Sequence, residues 1–322
     1  MIPVLIPLLL ALGDGVQAPA APDGLCDPMP GLEDIVPLAR TDYLIVGETH
    51  GTVELPAAFS AIACASLKDG RPVLVGVEHP AAMQTALDAN LASDGGEEAR
   101  DALTATPAWE TDPRFSAAML ALIEDVRRWR AAGRDVTLVA FDAPIDQPGT
   151  SAAREAGMAH HLIAARQDRG AGLVVALTGL GHADRRGFSS MSPPVDSMIK
   201  HLPADRTSGL AFVRSGGESW RCVQDPDARR CGAMPLSAPE ALVERGVTVS
   251  YDPGRLQGPI FTRRAPDRLT ACPGPLASAF RKPDRSLRRP PGACRASRLG
   301  LDVSSQSGPA ARVRPFSRRR SL

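Results

Sequence analysis

Four short apolar runs, each closed by an acidic or imidazole side chain, set the strongest limit on what this chain can fold into. Asp42–Gly47 leads into Glu48 and His50, and Pro72–Val77 into Glu78 and His79. Asp135–Phe141 leads into Asp142, and Gly172–Thr178 runs on to His182. Apolar runs of this length, bounded by Gly or Pro, read as strands buried on both faces. The stretches between them have a different period. Leu55, Phe59, Ile62 and Ser66 fall at steps of 4, 3 and 4, and Phe115, Met119, Leu122, Val126 and Trp129 at 4, 3, 4 and 3. Such spacing places them on one helical face. Thr52 is expected to cap the first of these helices and Gly70 to end it. Asp112, with Pro113 behind it, is expected to open the second, and Gly133 to close it. Ala81–Leu91 and Ser151 to about Arg166 read as further helices, and Ser93–Glu97 as a polar loop. Strands alternating with helices predict an α/β fold of three layers, a mainly parallel sheet with helices on both faces. Ser208–Val213 and Val247–Tyr251 read as later strands, and there is no internal repeat.

In an open α/β sheet, ligands bind beyond the carboxyl ends of the strands. The polar closures therefore predict one shared site. Glu48, His50, Glu78 and His182 are the expected catalytic group, and Arg154, Asp142 and His79 the expected substrate-binding residues. An imidazole titrates near neutrality, so His50 can take a proton from water. Glu48 or Glu78 would orient the ring, and His182 would be a second acid/base or a metal ligand. The same four residues form a donor set for a divalent ion such as zinc, manganese or iron. Blander roles stand beside these. His79, ahead of Pro80, also fits the lining of a loop, Asp142 the capping of the turn at Ala143-Pro144, and Arg154 a plain ion pair. His160 and His161 read as helix-surface residues, and His201 as a partner of a helix C-terminus. Gly187-Phe188-Ser189-Ser190-Met191 is no nucleophile elbow, because its last residue is Met. No Walker loop or dinucleotide glycine pattern follows a strand.

The stretch Gly47-Glu48-Thr49-His50-Gly51-Thr52-Val53-Glu54-Leu55-Pro56 resembles the glutamate–histidine signature of the erythromycin-esterase-like and ChaN-like proteins, which are grouped with the TIKI proteases. Arg154-Glu155-Ala156-Gly157-Met158-Ala159 is similar to a helix element of that superfamily, and Gly181-His182-Ala183 to its later glycine–histidine element. The resemblance runs from about Asp42 to Val213. It implies a hydrolase that activates water with a Glu/His site on a small-molecule ester or amide. Only Thr49 separates Glu48 from His50, a spacing similar to the ChaN-like branch. That branch implies the alternative, a protein that binds haem or iron without hydrolysis.

Charge divides the chain. Residues 263–322 hold 15 Lys+Arg against 3 Asp+Glu, a net of +12, and the remainder holds 22 against 33, a net of −11. An acidic globular part is not the footprint of a nucleic-acid binder. The basic tail lacks apolar periodicity and is expected to be disordered, or to be GC-rich DNA read out of frame. Residues 23–262 are the expected folded domain. Met1–Ala20 resembles a secretory signal with small residues at Ala18-Pro19-Ala20, and its apolar stretch Val4–Leu12 is too short to span a bilayer. Export to the periplasm and no transmembrane segment are the expectation. Cys222 and Cys231 flank the turn-forming Asp225-Pro226-Asp227 and are expected to close a short β-loop as a disulfide. No CxxC occurs, which argues against a cysteine zinc site.

Overall fold

The computed structural model describes residues 25–26, 41–142, 151–212, 217–224, 229–236, 248–251 and 259–262, the last two stretches as backbone only. The expected signal, the turns at Ala143-Pro144 and Asp225-Pro226-Asp227, and the tail from Arg263 lie outside the described residues.

Five strands form one sheet: β1 (Tyr43–Glu48), β2 (Val73–Pro80), β3 (Val136–Asp142), β4 (Leu173–Gly179) and β5 (Thr207–Ala211). Their order is β3-β2-β4-β1-β5, and every pairing is parallel. Parallel neighbours need crossovers, and the helices supply them: α1 (Glu54–Ser66), α2 (Gln84–Ala92), α3 (Glu97–Thr104), α4 (Ala108–Thr111), α5 (Ala117–Ala131), α6 (Ser151–Asp168) and α7 (Leu180–Ala183). The period-2 alternation of strand side chains sorts the core into two layers. Leu44, Val46, Val75 and Leu138 face α1 and α5, whereas Ile45, Leu74, Phe141 and Val174 face α6 and the one-turn helix Met198–His201. The α/β three-layer reading holds.

Local differences have local causes. α1 is buried on nearly every side, not on one face only, because Leu25 and Cys26 cover part of it and Cys26 is bonded to Cys64. Thr52 does not cap α1; its hydroxyl donates to the Thr49 carbonyl. α5 begins later than expected, with Ser116 as its cap, accepting from the Met119 N–H at 3.3 Å. The acids around Arg114 draw Asp112–Phe115 away from helical geometry, and Asp112 bonds Arg114 instead of a helix N-terminus. The expected polar loop Ser93–Glu97 ends at α3, which its sequence hides because Leu103 is its single buried residue.

Beyond β5, β6 (Glu218–Gln224) and β7 (Arg229–Pro235) form an antiparallel hairpin, with Cys222 bonded to Cys231 directly across it. β8 (Thr248–Tyr251) pairs with β9 (Pro259–Thr262), also antiparallel. Two disulfides point to an oxidising, exported compartment. Among the described residues no helix is long and apolar enough to cross a membrane.

Candidate active site

The carboxyl ends of β1, β2, β3 and β4 lie side by side, and their last residues build the site. β1 delivers Glu48, and the following turn carries His50. Gly51 makes that turn at φ +78, and its missing Cβ leaves room for the hairpin, since a methyl there would stand 1.9 Å from the Trp220 carbonyl oxygen. The Trp220 N–H donates to the Gly51 carbonyl, so the hairpin rests beside His50. β4 ends at Gly179, where a methyl would stand 2.8 Å from His50 Nε2. A side chain at 179 would push the imidazole out of place.

His50 lies between two carboxylates. Its Nδ1 is 2.9 Å from Glu48 Oε1, and its Nε2 is 3.5 Å from Glu78 Oε2, beyond a direct hydrogen bond. The ring is 23% exposed, against 4% for either acid. Burial works against the His50 cation, but Glu78 opposite and the bond to Glu48 outweigh it and raise the pKa. Glu48 is also raised, because burial outweighs its bond to His50.

Glu78 is held by four hydrogen bonds. Oε2 accepts from the Thr178 hydroxyl and the Gly179 N–H, both at 2.7 Å. Oε1 accepts from Arg154 Nη2 at 3.0 Å and Arg114 Nη1 at 3.3 Å. Burial alone would raise this carboxyl. The imidazoles, Arg114 and the Gly179 N–H reverse that and hold it well below the usual carboxylate range.

Asp142, at the end of β3, forms a fork with Arg154, Oδ1 to Nε at 2.8 Å and Oδ2 to Nη2 at 2.9 Å, and also bonds Arg114. Two guanidiniums thus bridge Glu78 and Asp142. His182, on α7, is 3.2 Å from Arg154 Nη1 through Nε2 and 2.8 Å from Glu155 through Nδ1. Glu48, His50, Glu78, Asp142, Arg154 and His182 therefore meet at one rim. His79 does not join them. It follows Glu78 on the strand and points to the other face, where it is fully buried, stacked on Phe115 at 4.1 Å and 12° and edge-on to Trp109. Its Nε2 donates to the Arg114 carbonyl at 3.1 Å. His160 is exposed, and His161 is half-buried and bonds the Phe141 carbonyl.

Sequence reasoning missed Arg114 and Glu155. Arg114 sits in an irregular turn with no periodicity to mark it; its only signal was a charge directly after Asp112-Pro113. Glu155 was hidden beside Arg154, and its signal was an acid on the helix face that also carries Met158, Ala159 and Leu162.

The expected metal-ligand set of His50, Glu48, Glu78 and His182 does not fit a divalent ion. Among the described residues no three His, Cys, Asp or Glu side chains are arranged to hold one. Both Glu78 oxygens are taken by donors, and Arg114 and Arg154 already supply fixed positive charge beside them.

No family model and no curated protein matches the chain. Among solved structures it is similar to an erythromycin esterase mutant, EreC, in its open conformation, at 13% identity over 65% of this chain and 80% of that one, TM-score 0.49. It is similar to a protein from Bacillus cereus at 13% identity over 67% and 76%, TM-score 0.49. It is also similar to ChaN of Campylobacter jejuni, solved with cofacial haem, at 10% identity over 56% and 84%, TM-score 0.35. These likenesses leave the chemistry to the residues.

Proposed function

We propose that this chain is an exported hydrolase in which His50 activates water against an ester or amide. The observation that carries the reading is the placement of His50 between Glu48 and Glu78 on a partly exposed ring. Glu48 accepts the Nδ1–H, which fixes the ring and leaves the lone pair on Nε2, on the Glu78 side of a partly exposed ring. Water there loses a proton to Nε2 as its oxygen attacks the carbonyl carbon. Glu78, its pKa held down by its partners and 3.5 Å away, stabilises the imidazolium that forms. Such an arrangement of base and orienting acid is the logic of activated nucleophiles in general.

The test is a panel of p-nitrophenyl esters and amides with wild type and His50→Ala. Loss of general-base catalysis lowers the rate by about 10²- to 10⁴-fold. The raised pKa of His50 places the rise of kcat/KM with pH above the 6.5 of an ordinary imidazole, because the base must be neutral. An unchanged rate in His50→Ala would sink the reading. The resemblance to ChaN-like proteins supplies the competing outcome: a shifted haem absorption band on titration, lost in His50→Ala, would replace hydrolysis with haem binding.

A further inference from the structure

We propose that Arg154 is the oxyanion donor of this site, and that His182, backed by Glu155, is the positioning residue that aims it. The proposal rests on the hydrolase reading and concerns the half of the reaction that His50 cannot perform. When water attacks, the carbonyl oxygen gains the negative charge, and a site without a donor for it has little catalytic power.

The donor inventory together with exposure singles out Arg154. A guanidinium has five N–H bonds and no acceptor. Four of those in Arg154 are assigned: Nε–H to Asp142 Oδ1, the two on Nη2 to Asp142 Oδ2 and Glu78 Oε1, and one on Nη1 to His182 Nε2. One Nη1 hydrogen is left over among the described partners, on a side chain 33% exposed. Arg114 is different. One of its Nη2 hydrogens is also unassigned, but it is only 12% exposed and boxed by Asp112, Glu78 and Asp142, so it holds the acids in place. Of the two, Arg154 is the more exposed, 33% against 12%.

The same inventory decides what His182 does. Arg154 can only donate, so His182 Nε2 must offer its lone pair. The ring hydrogen is then on Nδ1 and goes to Glu155, which is buried and also accepts the Met198 N–H at 2.8 Å. Met198, Glu155, His182 and Arg154 thus form one chain of hydrogen bonds that starts on a backbone amide and ends on the exposed guanidinium. With its lone pair committed to Arg154, His182 has none to offer a substrate proton. The reaction balances without it. The water proton goes to His50 Nε2, the carbonyl oxygen takes the free Arg154 N–H, and collapse of the adduct expels the leaving oxygen or nitrogen, which recovers the proton from His50.

The experiment uses the full chain and p-nitrophenyl acetate. Arg154→Ala is expected to lower kcat by about 10²- to 10³-fold, the usual effect of removing one oxyanion donor, with KM little changed. Added guanidinium ion should restore part of the rate, and Arg154→Lys should fall between. His182→Gln keeps an acceptor for Arg154 but cannot titrate. It should stay within about tenfold of wild type, well above His182→Ala, whereas an acid/base role would make the two equally poor. A kcat unaffected by Arg154→Ala overturns the proposal, and so does an equal loss in the two His182 variants. A separate readout is independent of turnover: nitrogen NMR at pH 8 should find His182 protonated on Nδ1 and mixed in Arg154→Ala. If wild type hydrolyses no ester, the hydrolase reading falls, and this tautomer still decides the link. A ring protonated on Nε2 overturns it.

Discussion

Glu78 and His79 are neighbours on β2, equally buried, and the protein treats them in opposite ways. Glu78 faces the rim and receives four hydrogen bonds, two of them from guanidiniums. His79 faces the core, receives aromatic walls, and makes one hydrogen bond while its Nδ1 has no partner among the described residues. Both pKa values are pushed down, with contrary meaning. The acid is kept charged by its partners, and the base is kept neutral, at about 4, chiefly by loss of water. Burial alone therefore does not set protonation; the number and sign of the partners does.

The largest effect is expected where that partner set is broken. Glu78→Ala leaves Arg154 with Asp142 alone and Arg114 with Asp112 and Asp142. Removing one member of a buried ion network costs about 3–5 kcal/mol. Urea denaturation should show it as a lower midpoint at unchanged slope. An unshifted midpoint would mean that the two arginines stand equally well on Asp142 and Asp112 alone, and the contrast with His79 would lose its electrostatic basis.

His79 gives the next effect, and here the sign matters. In the unfolded chain its imidazole takes a proton near 6.5, and in the folded protein only near 4. Between those values the unfolded state binds more protons, so stability is full above about pH 6.5 and is lost as pH falls toward 4. A gap of that size corresponds to about 3 kcal/mol. His79→Phe, which cannot titrate, should lack this part of the slope, whatever constant cost it carries for the lost bond to the Arg114 carbonyl. Parallel stability-against-pH curves for the two proteins would show that His79 is not held neutral.

The two sides of β2 also differ in how far the sequence revealed them. The strand, its burial and the acid at its end were legible, because a continuous apolar run closed by Glu has few other readings. The convergence of Glu48, His50, Asp142 and His182 followed from parallel topology, which sends every carboxyl end to one rim. The direction of His79 was a matter of alternation and was readable in principle, yet its position next to Glu78 suggested a shared role. Arg114 was not readable, since it owes its place to Glu78 and Asp142, on strands distant from the turn that carries it. The Cys26–Cys64 bond was equally hidden, because nothing in the spacing of 38 residues marks a pair.

The smallest expected effect sharpens the comparison most, because it removes a single partner from Glu78 and nothing else. The Thr178 hydroxyl is buried and donates to Glu78 Oε2 at 2.7 Å. Thr178→Val keeps the shape and the strand preference and deletes that donor. A hydrogen bond to a charged group contributes about 1.5–3 kcal/mol, but Oε2 keeps the Gly179 N–H and Oε1 keeps both arginines, so a cost near the lower end is expected. Thr178→Ser should recover most of it, which a loss of packing would not allow. The acid would stay ionised in either variant, because the two cations remain. His50 should then keep its raised pKa, measurable by imidazole NMR titration. If Thr178→Val instead costs as much as Glu78→Ala, the four donors are not redundant. The ionisation of Glu78 would then hang on one hydroxyl, and its contrast with the sparsely bonded His79 would be one of geometry, not of partner number.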